Sequence, residues 1–83
     1  MTHLAGNLAI RTNRELIKLG DYLLSAKIVD ETSSLSESAF QELLTNMKLG
    51  YLLASASWKR ANFIINSNNR YYLDTQKFDS FSR

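Results

Sequence analysis

Apolar residues recur at alternating spacings of four and three through the middle of the chain. The run begins at Phe40, ends at Ile65 and has no break. Such a spacing averages about 3.5 residues per repeat, which keeps one face of a helix turned toward a partner, as in a coiled coil. The members of this seam are Phe40, Leu44, Met47, Tyr51, Ala54, Trp58, Ala61 and Ile65. The seam therefore predicts one continuous helix over 35–66.

A shorter helix is predicted to precede the long one. Capping-box sequences lie at Thr12–Glu15 and Ser34–Glu37, and each comes directly before a periodic apolar run. The first run predicts a helix over 12–28, and its stripe is Leu16, Leu19, Leu23 and Ala26. Asp30–Ser34 is a short polar connection, which favours antiparallel neighbours. The predicted fold is all-α, an antiparallel helical hairpin with a long second helix.

The two ends of the chain are less regular. Residues 1–11 either add helical turns or form a flexible arm. Asn66–Asn69 is expected to end the long helix, because Asn readily adopts left-handed and turn conformations. Residues 70–83 are predicted to form a short helical or irregular segment with aromatic residues on one face. Gly20 costs about 1 kcal/mol in a helix relative to Ala, so it either marks the close approach of another backbone or is merely tolerated.

The predicted first helix is about half the length of the second, so half of the long helix stays uncovered. That half is apolar on more than one face and must be covered. The seam is therefore intramolecular core, a homodimer interface or a groove for a partner helix. We expect a homodimeric bundle built around residues 49–65. The predicted interface residues are Leu53, Ala54, Trp58, Ala61, Phe63, Ile64, Ile65, Tyr71, Tyr72 and Phe78.

Composition places the chain among small single-domain proteins that gain core from a partner. It has 83 residues, 45% of them hydrophobic, with no cysteine or proline and a net charge of +2. Without disulfides, so small a core is often completed by a second subunit. No signal-peptide pattern is seen at the N-terminus. The most apolar window, Leu49–Trp58, is shorter than the roughly 20 residues of a membrane span. We expect a cytoplasmic protein with no membrane partner.

Few residues suit catalysis or metal binding. The only histidine, His3, lies near the terminus, and cysteine is absent, which excludes a Cys–His pair or a zinc site within one chain. Asp30 and Glu31 are adjacent in the polar connection and are interpreted as solvated turn residues, with a weak hard-cation site as the alternative. We expect no enzymatic activity, no cofactor and no metal.

Nucleic-acid binding is the alternative to protein binding. Basic residues in region 58–78 lie among aromatic residues, so that cations would neutralise phosphate while rings stack on bases. The candidate contacts are Lys59, Arg60, Arg70 and Lys77. Against this, Trp58 belongs to the seam, and the tail aromatics are expected to cover the long helix. A helix–turn–helix needs two short helices joined by a short turn, and the predicted second helix is too long.

The sequence thus favours a small non-enzymatic regulator, inhibitor or adaptor that acts by protein–protein binding. Its expected partners are a second copy of itself and another, unidentified protein. A chain this small, rich in Asn and Ser and without a catalytic set, is interpreted as a dedicated binding protein, and a phage or mobile element is the suggested source. The alternative function is a nucleic-acid-binding module that uses region 58–78.

Overall fold

The chain folds into three helices and a small antiparallel sheet, in a computed structural model. The structure describes the backbone of residues 2–54 and 60–83 and the side chains of residues 13–52 and 60–83. The elements in chain order are α1 (Thr2–Ser25), β1 (Leu35–Ser36), α2 (Glu37–Asn46), a 3₁₀ segment (Gly50–Ala54), β2 (Ile64–Ser67), β3 (Arg70–Leu73) and α3 (Thr75–Ser82). The predicted all-α helical hairpin is therefore wrong, and the fold is α+β.

The predicted long helix is divided at Met47–Leu49, so the coiled-coil interpretation is also wrong. Lys48 has a φ of 61°, in the left-handed region. The Lys48 amide donates to the Thr45 carbonyl at 3.0 Å, and the Leu49 amide donates to the Leu44 carbonyl at 2.7 Å. These two bonds are the Schellman motif, which satisfies the last carbonyls of a helix and reverses the chain. Helix α2 consequently ends before the seam does.

Residues of the seam reach the core from different elements. Phe40 and Leu44 are buried on α2, whereas Ala61 is buried in the connection before β2. Tyr51, which was predicted to lie in the core, is 51% exposed. After the turn the core positions pass to Leu49 and Leu52, which are 2% and 0% exposed. The regular spacing thus contains several buried residues, but these lie on different elements and not on one helix.

Helix α1 is longer than predicted, because it begins at Thr2 and takes in most of the predicted N-terminal arm. Three residues of its predicted stripe, Leu16, Leu19 and Leu23, are fully buried, whereas the fourth, Ala26, is exposed and follows the end of the helix at Ser25. The helix ends in a second Schellman motif, in which Lys27 has a φ of 61° and the Ile28 amide donates to the Leu23 carbonyl at 2.9 Å. Both α-helices before the hairpin therefore end on a left-handed lysine.

The sheet has the strand order β1-β3-β2, with both pairs antiparallel. Asn68 and Asn69 join β2 to β3 with φ values of 54° and 62°. Two successive residues with positive φ are typical of the type I′ hairpin turn, which Asn tolerates better than most residues. The Asn cluster therefore forms a hairpin turn and does not end a helix. Helix α2 begins next to β1, where Ser36 Oγ accepts from the Ala39 amide at 3.2 Å.

Aromatic contacts join β3 to α2 and join α3 to the connection before β2. Tyr71 of β3 stacks on Phe40 with ring centroids 4.3 Å apart and planes 5° apart. Phe78 and Phe81 of α3 pack on Phe63 at 5.0 and 4.9 Å. The predicted C-terminal segment is thus a strand followed by a helix, and Tyr71 does not share a helical face with the two phenylalanines.

The two described glycines beyond residue 12 differ in what surrounds them. Gly20 of α1 is buried, and a Cβ there would overlap the ring of Phe78. The close approach is therefore by an aromatic ring and not by a backbone. A Cβ at Gly50 would meet nothing within 4 Å, and Gly50 has no positive φ.

We predict that Gly20→Ala destabilises the protein by about 1–3 kcal/mol, because it overpacks the contact with Phe78. The matched change Gly50→Ala should instead be neutral or stabilising by up to about 1 kcal/mol, because the unfolded chain loses freedom and nothing is displaced. Urea unfolding of both variants checks this. Equal effects at the two positions would contradict the packing of α3 on α1.

Candidate functional site

The turn after α2 presents a short exposed surface. Lys48, Gly50 and Tyr51 are exposed. Leu49 and Leu52, which flank Gly50 and Tyr51, are buried. The two buried leucines anchor the backbone and so hold the exposed positions in place. A side chain such as Tyr51, with half its surface in solvent, is available for contact with another molecule. This surface, Lys48–Tyr51, is called the turn surface below.

The hairpin turn is a second exposed feature. Asn68 and Asn69 are both exposed at the end of β2 and β3 that lies away from α3. Each side-chain amide offers two hydrogen-bond donors and an acceptor carbonyl. Asn also tolerates the left-handed backbone conformation that the turn requires. The turn is therefore a compact polar tip.

Arg70, a predicted nucleic-acid contact, is used within the fold. Its Nε donates to Ser34 Oγ at 2.9 Å, and its Nη2 donates to the Ser34 carbonyl at 2.7 Å. Ser34 is only 6% exposed, and its hydroxyl donates in turn to the Glu31 carbonyl at 2.6 Å. Ser67 of β2 donates to Glu31 Oε1 at 3.3 Å. The guanidinium thus fastens the loop before β1 to the hairpin.

The same loop is ordered around Asp30. The Thr32 hydroxyl donates to Asp30 Oδ1 at 2.7 Å, and the Ser33 amide and hydroxyl donate to the same oxygen at 2.9 Å. These hydrogen bonds, that of Thr32 first, lower the pKa of Asp30 below its ordinary value because they stabilise the carboxylate. The Asp30 carboxylate therefore organises a turn, and within the described residues no group of three His, Cys, Asp or Glu side chains is placed to hold a metal ion.

Two other predicted nucleic-acid contacts come together. Arg60 and Lys77 line an open cleft of about 620 Å³ between the start of the hairpin and α3. The remaining lining residues are Asn62, Gln76, Ser80 and Phe81. The cleft lies at the end of the hairpin opposite the Asn68–Asn69 turn, because β2 begins and β3 ends there. Lys59, the fourth predicted contact, lies outside the described residues.

The predicted protein interface is divided by the fold. Ala61, Phe63 and Phe78 are buried within the single chain. The half-buried members are Ile64, Ile65, Tyr71 and Tyr72. Trp58 and the side chains of Leu53 and Ala54 lie outside the described residues. Self-association through residues 49–65 stays a prediction.

Sequence reasoning missed two exposed large apolar side chains on different sides of the C-terminal part of α1. Tyr22 and Leu24 are 47% and 46% exposed, off the stripe that faces the core. Tyr22 also lines a shallow groove of about 200 Å³ between α1 and α2. The other lining residues are Ile28, Leu35, Ala39, Glu42, Leu43 and Asn46. Large apolar residues on the outer face of a helix were the available signal.

Comparison with protein-family models, with curated proteins and with solved structures finds no match. In the part of the chain that the structure describes, no helix combines the length and the apolar character that crossing a membrane requires.

We predict that Arg70→Met destabilises the protein by about 1–3 kcal/mol, because two hydrogen bonds are lost and the buried Ser34 groups lose a partner. Arg70→Lys should recover only part of this, since an ammonium cannot reproduce the planar fork. The control is Arg83→Met, which removes an exposed ion pair with Asp79 (3.1 Å) and should cost below about 1 kcal/mol. Thermal unfolding measures both, and equal losses would argue against the Arg70 contact.

We also predict that Thr32→Val raises the pKa of Asp30 toward its ordinary value. The folded-state pKa is the lower one, so these hydrogen bonds stabilise the fold above the unfolded-chain pKa. Their contribution is lost as the pH falls through the folded-state pKa. An NMR titration of the Asp30 carboxyl carbon measures this pKa directly. Thr45→Val is the control, because that hydroxyl donates to the Gln41 carbonyl; a similar titration of Asp30 in both variants would refute the assignment.

Proposed function

We propose that this protein is a small regulator that binds duplex DNA through the turn surface Lys48–Tyr51. The observation that carries the proposal is the break between α2 and the 3₁₀ segment, which leaves Gly50 and Tyr51 exposed directly after a tight turn. A regulator of this kind would act in the cytoplasm.

The arrangement of α2 and the 3₁₀ segment supports a helix–turn–helix. The three residues Met47, Lys48 and Leu49 separate the two elements, and helix–turn–helix motifs use turns of three or four residues. In such motifs the first residues of the second helix contact base edges, while the first helix crosses the backbone. Gly50 and Tyr51 occupy those first positions. The objection to this motif was the length of the second helix, and the break removes it.

The order of the remaining elements gives further support. A first helix, a short strand, the turn motif and a β-hairpin follow one another, and β1 pairs with β3, the second strand of the hairpin. This order is that of winged helix–turn–helix domains, in which the hairpin is the wing. Here α2 is joined to the hairpin by the stack of Phe40 on Tyr71. The wing tip would be Asn68 and Asn69.

The exposed groups suit the contacts that duplex DNA offers. The absence of a side chain at Gly50 lets the backbone come close to the groove, and Tyr51 supplies a ring and a hydroxyl. Lys48 can neutralise a phosphate, which positions the protein without reading sequence. Asn amides at the wing tip match the acceptors of the minor groove. Glu37 and Glu42 are exposed on α2, so where α2 crosses the backbone these two side chains would have to face away from the phosphates.

The net charge of +2 sets an expectation for affinity. A strongly basic domain binds any duplex through many phosphate contacts, and its affinity falls steeply with salt. The 10 Lys and Arg of this chain are nearly balanced by 8 Asp and Glu, so its non-specific binding should be weak. Discrimination between sequences would then rest on Tyr51 and the asparagine tip.

We predict that Tyr51→Ala weakens binding to a selected duplex about tenfold or more, as loss of a good base contact would. The duplex is obtained by selection from a random-sequence pool, and binding is measured by fluorescence anisotropy. Tyr22→Ala is the matched control, because Tyr22 is also about half exposed but lies on α1. It should bind like the wild type.

The glycine at position 50 gives a second, independent comparison. Gly50→Ala should fold and retain binding, while Gly50→Glu should fold, since the site is open, and lose binding through steric and charge repulsion with phosphate. Failure to select any duplex, or equal binding by Tyr51→Ala and Tyr22→Ala, would reject the proposal.

Protein binding is the second candidate, and the groove beside Tyr22 favours it. The exposed Tyr22 beside a shallow groove whose lining includes Ile28, Leu35 and Leu43 resembles the anchor and pocket of an interface. In that case Tyr22→Ala, the control above, becomes the sensitive variant. Light scattering across a dilution series of wild type and Tyr22→Ala tests whether the partner is a second copy of the chain.

A further inference from the structure

The cleft between the start of the hairpin and α3 has a composition that suits an anion. Arg60 and Lys77 supply two cations, and Asn62, Gln76 and Ser80 supply neutral hydrogen-bonding groups. None of its lining residues among those that the structure describes is acidic. None of its described lining residues belongs to the turn surface or to the wing tip.

The carboxylates nearest to Lys77 along the chain, those of Asp74 and Asp79, bond to groups other than the Lys77 ammonium. Asp74 caps the helix, and its Oδ1 accepts from the Lys77 amide at 3.0 Å. Asp79 pairs with Arg83 at 3.1 Å. Among the described residues, Lys77 Nζ forms no ion pair with a carboxylate. The positive charge of Lys77 is therefore directed to the cleft or to solvent.

Phe81 adds an apolar surface to this charged cleft. Its ring packs on Phe63 at 4.9 Å with planes tilted by 54°, and the residue remains half-buried. A ring held on one side and partly exposed on the other is a platform on which a planar group can stack. The cleft volume of about 620 Å³ falls within the range of small-molecule sites.

We propose that this cleft binds a nucleoside phosphate. The phosphate lies between Arg60 and Lys77, the base lies against Phe81, and the amides of Asn62 and Gln76 bond to the base or the sugar. Cations bind phosphate by charge and hydrogen bonds, whereas an inorganic anion would make no use of the aromatic ring. The same chemistry is offered by a free mononucleotide and by a nucleotide of a single strand.

Amide NMR titration of the full chain with AMP tests the proposal. The expected result is saturable shifts at Asn62, Gln76, Lys77 and Ser80, and weaker shifts with inorganic phosphate at the same concentration. Short oligothymidylate forms the second arm. Stronger binding of AMP identifies a free nucleotide as the ligand, and stronger binding of the oligonucleotide identifies a single strand; either result supports the proposal.

Lys77→Gln removes one cation from an exposed position and should weaken AMP binding about tenfold or more without a change in unfolding midpoint. Lys18→Gln, on the exposed side of α1, is the matched control and should bind like the wild type. No saturable shift with either AMP or oligothymidylate would overturn the proposal. So would equal affinity for AMP and inorganic phosphate, or wild-type affinity in Lys77→Gln.

Discussion

The left-handed backbone at Lys27 and Lys48 decides where the rest of the chain goes. A residue with a Cβ pays about 1–2 kcal/mol to adopt this conformation. In both cases the next residue is buried, since Ile28 and Leu49 are 9% and 2% exposed, and burial of such a side chain contributes about 1.5–3 kcal/mol. Burial therefore outweighs the backbone strain. The reversals at Lys27 and Lys48 each turn the chain back toward the core, and the strands of the sheet follow them in the sequence.

The core of the helices could be predicted from the sequence, and the sheet could not. Leu16, Leu19, Leu23 and Leu44 follow a helical period and are all fully buried. The break at Lys48 gave no signal, because helices that end on a left-handed residue usually have Gly or Asn there. Strand β1 has only two residues, too few for any alternation to be detected.

The hairpin, by contrast, left a readable signal. Two runs rich in Ile, Tyr and Phe flank Asn68 and Asn69, and such a pattern favours a hairpin with a two-residue turn. The same asparagines also suit the end of a helix. The unbroken seam before them favours that interpretation, which is wrong. The mistake carried over to the candidate site. Tyr51 was assigned to a buried seam, although the reversal one turn earlier moves it to the surface.

Basic residues that look alike in the sequence also differ in their use. Arg60 and Lys77 share a cleft, while Arg70 is held by Ser34. The difference depends on strand register, because Arg70 lies opposite Ser36 of β1 and so reaches the loop that precedes that strand. Charge and spacing do not contain this information.

The ring of Phe78 against Gly20 has a consequence for the order of folding. These residues belong to the last and first helices, so the contact spans most of the chain. Contacts between distant residues form slowly, because a long loop must close before they stabilise anything. During synthesis α1 emerges before α3, so the part of α1 that packs on Phe78 stays uncovered until α3 has left the ribosome. The core therefore stays incomplete until α3 is available, and until then the nascent chain exposes an apolar helix face that chaperones would recognise.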